Sequence, residues 1–368
     1  MIMMTGNNAF EHGGNLYAKI RETGGCISDI LDFSANINPL GISNKIRQTL
    51  HDSVESIIHY PDAQAYALKH AISKHYQVDA ASITIGNGAV ELMYILCHML
   101  SPKRILVTAP TFSEYECAAR ASGAHVEYFY LNENCGFEID IQTLTTQLTD
   151  IDILFICNPN NPTGTLLTNR QLEQLLLVAK TQNTYVVIDE SFIDFLPNAA
   201  IYTCRQLLTQ HDNLIILHSL TKFYAIPGLR LGFSLGSPRI TTILHNGKDP
   251  WNVNTLAQNA GVIALLDTAY QKLSRDFITD RKVELYNKLL TVKGLKPYFP
   301  SVNFILINIK QTTMTAGQLR KLLETHNILI RDCSNYPGLS SEYIRVAVKR
   351  PEENITLIDT LRKILGGI

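Results

Sequence analysis

From residue 82 onward, short apolar runs alternate with stretches of helical period. The runs at 83–85, 105–108, 125–130, 153–157, 185–188, 214–217 and 231–235 read as strands, and 90–100, 113–122, 169–181 and 220–225 read as helices. Several of the strands are almost continuously apolar, which marks them as covered on both faces. The alternation therefore predicts an α/β fold with a mostly parallel sheet, whose ligand sits beyond the carboxyl ends of the strands. Upstream, 43–57 and 64–76 read as helices separated by the break His59-Tyr60-Pro61-Asp62. After Asp249-Pro250-Trp251 the rhythm changes to a long helical stretch, 255–290, then to a strand at 303–309, a helix at 315–325, apolar runs at 328–331 and 343–348, and a terminal helix from Pro351. That second pattern predicts a smaller α/β domain with an antiparallel component.

Chemistry is concentrated where the predicted strands end. Gly86-Asn87-Gly88 lies between a strand and a helix, where backbone N–H groups can approach an anion at the helix N-terminus, although three such residues also make an ordinary tight turn. Pro110-Thr111-Phe112-Ser113-Glu114-Tyr115 follows the next strand and offers a ring that either stacks on a planar ligand or simply packs. Asn158-Pro159-Asn160-Asn161-Pro162-Thr163-Gly164 is a more specific signal. It fixes a turn and directs an amide at the sheet edge, where it can donate to a phenolate oxygen. Asp189 and Glu190 end an apolar strand; a carboxylate there needs a cationic partner, and a protonated pyridine nitrogen is one, a helix cap or a metal being the alternatives.

The segment from His218 to Gly232 completes the series. Ser219 stands three residues before Lys222 and Arg230 eight residues after it, beyond Ile226-Pro227-Gly228. A lysine among Phe223, Tyr224, Ala225 and Ile226 has its pKa lowered by desolvation, and its neutral amine can attack a carbonyl to give a Schiff base. The hydroxyl and the guanidinium flanking it suit a phosphate. A Ser-x-x-Lys spacing also opens the acyl-transfer site of penicillin-binding proteins, but the partner motifs Ser-Asp-Asn and Lys-Thr-Gly are absent. Together the residues describe a pyridoxal phosphate anchor.

Charge and cysteine content narrow the partners. The 368 residues carry 32 Lys plus Arg against 33 Asp plus Glu, so there is no electrostatic reason to expect nucleic acid or an anionic membrane. Seven scattered cysteines, never spaced Cys-x-x-Cys, argue against a disulfide framework or a zinc site and suit a reducing cytoplasm. No apolar stretch approaches the ~18 residues of a membrane span. A cytoplasmic protein acting on a small molecule is expected.

In order and spacing these motifs resemble the fold-type I pyridoxal phosphate enzymes of the aspartate and histidinol-phosphate aminotransferase group, over nearly the whole chain. His12-Gly13-Gly14-Asn15, Asp32-Phe33-Ser34-Ala35-Asn36-Ile37-Asn38-Pro39-Leu40-Gly41, the run from Ser219 to Gly228, and Asn335-Tyr336-Pro337-Gly338-Leu339 are similar to the threonine-phosphate decarboxylase family of cobalamin biosynthesis. The resemblance implies an N-terminal segment, 1–50, packing with the small domain, a large cofactor-binding domain, 51–250, and a small C-terminal domain, 251–368. It implies that Lys222 carries pyridoxal 5'-phosphate, that Asp189 pairs with its pyridinium nitrogen, that Asn161 bonds its 3-oxygen and that Phe112 stacks on its ring. Asn87, Gly88, Ser219 and Arg230 would bind the cofactor phosphate, joined by Tyr60 from the partner subunit of a homodimer. Arg345 would grip the α-carboxylate of a phosphorylated amino acid with help from Asn36, while His12 and Arg331 would meet its phosphate. No metal is expected.

Many aminotransferases of the group have a tyrosine three residues after the pyridinium aspartate; this chain has Phe192, and the decarboxylases it resembles also lack the tyrosine. The resemblance thus implies decarboxylation of L-threonine O-3-phosphate, with a histidinol-phosphate-type aminotransferase as the alternative. A catalytically silent protein of the same fold is a further alternative, disfavoured by the presence of Lys222 and Asp189.

Overall fold

The computed structural model describes residues 13–366. Its strands, in chain order, are β1 (Leu31–Asp32), β2 (Ile83–Gly86), β3 (Arg104–Ala109), β4 (His125–Tyr130), β5 (Ile153–Cys157), β6 (Tyr185–Asp189), β7 (Leu214–Ser219), β8 (Gly232–Gly236), β9 (Lys296–Pro297), β10 (Phe304–Asn308), β11 (Ile328–Leu329), β12 (Arg331–Asp332) and β13 (Tyr343–Ala347). Seven of them form one sheet in the order β2-β8-β7-β6-β5-β3-β4. Pairing is parallel from β7 through β4, whereas β8 runs antiparallel to both β7 and β2. The α/β class with a mostly parallel sheet is the one the sequence pattern predicts.

Successive residues of the central strands feed two different cores. Ile105, Val107, Ile153, Phe155, Val187, Ile215 and Leu217 pack under the helices Ala89–Leu100, Glu114–Ala121 and Pro238–Gly247. Leu106, Leu154, Ile156, Val186, Ile188, Leu214 and Ile216 join the other cluster, with Leu172, Leu175 and Leu176 of the helix Asn169–Thr181. Strands that are apolar on both faces need such double cover, and period-two alternation supplies it. The helix Asn169–Thr181 starts at a capping box in which Thr168 and Gln171 satisfy each other's backbone N–H groups.

A second sheet, β12-β13-β10-β9, is antiparallel, and β1 pairs in parallel with β11. Residues near the N-terminus are thereby fastened to the C-terminal part of the chain.

Two expected helices take another form. The stretch 255–290 is two helices, Thr255–Leu266 and Thr268–Leu290, parted at Asp267, whose φ of −85° and ψ of 67° leave helical geometry and whose carboxylate accepts the Tyr270 N–H. The stretch 220–225 is a turn. Pro227 disfavours helical geometry in the residue before it, and Ala225 at φ +55° turns the chain instead. The turn leaves the Lys222 and Phe223 carbonyls to be satisfied from elsewhere.

Among the described residues no helix is long and apolar enough to cross a membrane. At the start of β8, a Cβ on Gly232 would lie 2.5 Å from the Ala89 nitrogen, 2.8 Å from the His218 oxygen and 2.9 Å from the Gly88 carbonyl carbon. All three are backbone atoms and cannot rotate away. Gly232→Ala is therefore expected to lower stability on the order of 1–3 kcal/mol, read as a lower urea midpoint at unchanged slope; an unchanged midpoint would contradict the packing described.

Candidate active site

The carboxyl ends of the parallel strands and the start of β8 converge on one rim of the large sheet. β6 ends at Asp189, which is 3% exposed. Its Oδ2 accepts the Tyr115 hydroxyl at 2.7 Å and its Oδ1 accepts the Ser191 N–H at 2.9 Å. Tyr115 is fully buried and lies parallel to Phe155, with ring centroids 5.1 Å apart. Phe112 meets Tyr115 edge-on at 5.6 Å. Burial, then the Asp189 charge, push the Tyr115 phenol well above its ordinary pKa, so it remains a neutral donor.

Lys222 stands on the turn that follows β7. Its Nζ donates to Thr221 Oγ1 at 2.9 Å, and that oxygen lies 2.7 Å from Ser219 Oγ. Desolvation, followed by the Arg230 charge, lowers the amine to about 8, with Asp189 opposing and Arg345 adding to the shift. Arg230, at φ +56°, lies against Gly88 so closely that a Cβ there would sit 2.5 Å from its Nη2. The glycine makes room for the guanidinium and leaves an anion cradle beside it. Asn87 has an exposed side chain, and its backbone N–H donates to Glu91 Oε2 at 2.7 Å.

The small sheet brings the second set of cations. Arg331 and Arg345 face each other across the β12–β13 ladder, and each is 5% exposed. Arg345 Nη1 donates to Asn161 Oδ1, its Nη2 donates to the Ser34 carbonyl at 2.7 Å, and its buried Nε has no hydrogen-bond partner. Burial pulls the Arg345 pKa down. Arg331 donates to Asn335 Oδ1 at 2.6 Å and lies 4.9 Å from the Tyr336 ring centre. Asn36 is 5% exposed, its Oδ1 unbonded and its backbone oxygen held by Asn303 Nδ2 at 3.0 Å. Guanidinium groups this deeply buried call for anionic partners, which a substrate with two acidic ends would supply.

Lys222, Asp189, Arg230, Gly88, Ser219, Asn161, Asn36, Arg345 and Arg331 thus belong to one neighbourhood, with Phe112 reaching it through Tyr115. Tyr60 stands elsewhere, 80% exposed and stacked on Trp251 at 4.7 Å. His12 lies outside the described residues. A cavity of 630 Å³ bounded by Tyr66, His70, Ile83 and His245 contains none of these groups, whereas Arg331 lines one of 200 Å³ with Ser34, Lys19 and Arg320. Sequence reasoning missed Tyr115, Thr221 and Ser34. Tyr115 lies in a motif already singled out, three residues after Phe112, but only the folded strand ends show that it meets Asp189.

The donor set fits a phosphorylated pyridine aldehyde. A lysine near neutrality meets the aldehyde, a buried carboxylate with two neutral donors, the Tyr115 hydroxyl and the Ser191 N–H, suits a ring N–H, and the Gly88–Arg230 cradle suits a phosphate. Below about pH 8 the Lys222 amine is protonated and cannot attack; above it the neutral amine can. Mixing the cofactor-free protein with an aromatic aldehyde should show a fast phase whose rate climbs through a midpoint near 8 and disappears in Lys222→Ala. A midpoint at the ordinary lysine value of 10.5 would contradict the site's electrostatics.

The model of the family "Aminotransferase class I and II" matches residues 28–361. A threonine-phosphate decarboxylase from Salmonella typhimurium is 37% identical over 358 residues, 97% of each chain. An adenosylcobalamin biosynthesis bifunctional protein from Leptospira interrogans is 35% identical over 98% of this chain and 42% of its own length. Among solved structures, a histidinol-phosphate aminotransferase from Clostridium acetobutylicum superposes with a TM-score of 0.87 at 28% identity, covering 92% of this chain and all of its own. An L-threonine-O-3-phosphate decarboxylase from Porphyromonas gingivalis superposes at 0.82 and 29% identity with the same coverage.

Proposed function

The chain belongs to the class I and II aminotransferase family, and on that footing we propose that it is a pyridoxal phosphate-dependent decarboxylase of L-threonine O-3-phosphate. The product is (R)-1-amino-2-propanol O-2-phosphate, destined for the cobalamin nucleotide loop. The observation that carries this reading is the pair of buried arginines directly opposed across β12 and β13. One guanidinium takes the α-carboxylate and the other the phosphate, so a single extended amino acid is held at both ends. The similarity to the Salmonella enzyme along 97% of both chains supports the same substrate.

Bound pyridoxal phosphate supplies an electron sink for the bond that breaks at the substrate Cα. The residues decide which bond that is. Arg345, braced by Asn161 and the Ser34 carbonyl, fixes the carboxylate, and Arg331 fixes the far end, so the rotation about the Cα–N bond is set by two anchors. Asp189 holds the proton on the ring nitrogen, with Tyr115 keeping its carboxylate in place. Lys222 would hold the cofactor through its neutral amine and would be the group placed to deliver a proton to the substrate Cα. Phe112 covers the ring, and Asn87, Gly88, Ser219 and Arg230 cradle the cofactor phosphate.

A homodimer belongs to this proposal. Tyr60, 80% exposed and stacked on Trp251, follows Ile57 and Ile58, which are 61% and 77% exposed, and in this proposal it would reach a partner's cofactor phosphate. His12, which lies outside the described residues, would serve the substrate phosphate in this proposal.

A histidinol-phosphate-type aminotransferase is the competing reading, favoured by the TM-score of 0.87 to the Clostridium acetobutylicum structure. Since one fold serves both chemistries, the reaction has to be measured. The loaded protein should release carbon dioxide from L-threonine O-3-phosphate whether or not 2-oxoglutarate is present. Arg345→Ala should cut kcat/KM by about a hundredfold or more, the cost of losing a buried charge-assisted contact to the reacting end. Glutamate formed without carbon dioxide would move the protein to the aminotransferases.

A further inference from the structure

Segment 33–38 touches both halves of the site. At one end the Ala347 N–H donates to the Phe33 carbonyl at 2.8 Å, Arg345 Nη2 to the Ser34 carbonyl at 2.7 Å and Asn303 Nδ2 to the Asn36 carbonyl at 3.0 Å. At the other end stands Asn38, 2% exposed. Its backbone N–H donates to the Lys222 carbonyl at 3.0 Å and its Nδ2 donates to the Phe223 carbonyl at 2.8 Å. Nδ2 also donates to Ser274 Oγ at 2.8 Å, while Oδ1 accepts the Leu40 N–H at 3.1 Å. Every polar atom of the side chain is committed.

These bonds land where the fold leaves a need. The turn carrying Lys222 is not helical, so a regular ladder of i to i+4 bonds does not serve its carbonyls. Within the turn, the Ala225 N–H reaches the Lys222 carbonyl only at 3.4 Å, and the Tyr270 hydroxyl, 3.4 Å from the Phe223 carbonyl, gives its one proton to the Gly41 carbonyl at 2.7 Å. Buried carbonyls without a good donor are costly, and Asn38 provides the shorter bond to each.

We infer that Asn38 is a positioning residue for Lys222, clamping the two carbonyls beside the lysine and making segment 33–38 a strap that ties the reactive amine to the carboxylate-binding Arg345. The strap sets how far Nζ stands from the guanidinium, and hence where the amine lies relative to the bond being broken at Cα. Asn38 touches neither end of the substrate in this role and acts through the backbone of Lys222. The inference rests on Lys222 carrying the cofactor, as proposed above, but not on which reaction follows.

The test uses the cofactor-loaded protein and follows the absorbance of the lysine-bound cofactor as pH is varied, alongside kcat and KM. Asn38→Ala should move the midpoint of that titration by about half a unit or more and lower kcat on the order of tenfold with KM little changed, as a displaced reacting group does. Ser274→Ala removes a different partner of the same Nδ2 and should leave the midpoint where it is. An unmoved midpoint in Asn38→Ala, or an equal movement in Ser274→Ala, would overturn the inference. Should Asn38→Ala not fold, Asn38→Ser decides: its shorter side chain keeps a polar group but falls short of the Phe223 carbonyl, so it should move the midpoint the same way, and no movement would overturn the inference. Absence of any such band in the unaltered protein would instead refute the cofactor assignment itself, which keeps the two failures distinct.

Discussion

The organising constraint of this site is that a lysine's pKa is drawn down toward neutrality among arginines. Lys222 is desolvated and lies in the fields of Arg230 and Arg345, with Asp189 as the counterweight, and the balance places its amine at about 8. The arginines do not merely suppress the lysine. Each is held open for an anion, Arg230 by the bare Cα of Gly88 and Arg345 by a guanidinium that still has an unbonded Nε. When anions occupy those positions, their charge offsets the arginines and Lys222 becomes more basic. The amine is thus a nucleophile before the anions arrive and a better proton carrier afterwards.

Strand geometry explains why such charges are stable at the rim of an apolar sheet. Neighbouring residues point to opposite faces, so Asp189 and Glu190 part company at the end of β6, as do Ser219 and His218 at the end of β7. Asp189 and Ser219 face the site. On the other side Glu190 pairs with Arg205 at 3.2 Å and accepts the Cys204 N–H at 2.7 Å, while His218 meets Asp194 and the Tyr76 hydroxyl, both at 3.0 Å. The His218 charge is the main influence that outweighs burial and holds the Asp194 carboxyl below its usual range. Glu190 and Asp194 thus each have a basic partner on the far side of the sheet and do not compete for the groups that face the site.

Much of this was legible in the chain. Apolar runs alternating with helical periods predict the class of fold, and the strands at 153–157 and 125–130 fall where the pattern puts them. Motifs at strand ends pointed to a cofactor site because turn chemistry is local. What the sequence hid is either locally ambiguous or distant. The apolar residues around Lys222 have a helical look that Pro227 and Ala225 overrule, and the long period over 255–290 conceals the cap at Asp267. Tyr115 meets Asp189 across 74 positions, Asn38 meets Phe223 across 185, and Arg345 meets Ser34 across 311. Periodicity carries no information about such pairings, which arise only when both sheets are in place.

The central claim is that two anchored ends turn the carboxylate, and not the α-hydrogen, into the group that leaves. L-Threonine O-3-phosphate carrying deuterium at Cα tests it directly, since the two fates of Cα differ in which bond survives. Incubated in ordinary water with the loaded protein, the substrate should give an aminopropanol phosphate that keeps its deuterium and gains one solvent hydrogen at the same carbon. Loss of the deuterium to water with the carboxylate retained would show that the α-hydrogen is the bond the site exposes, and would contradict the account.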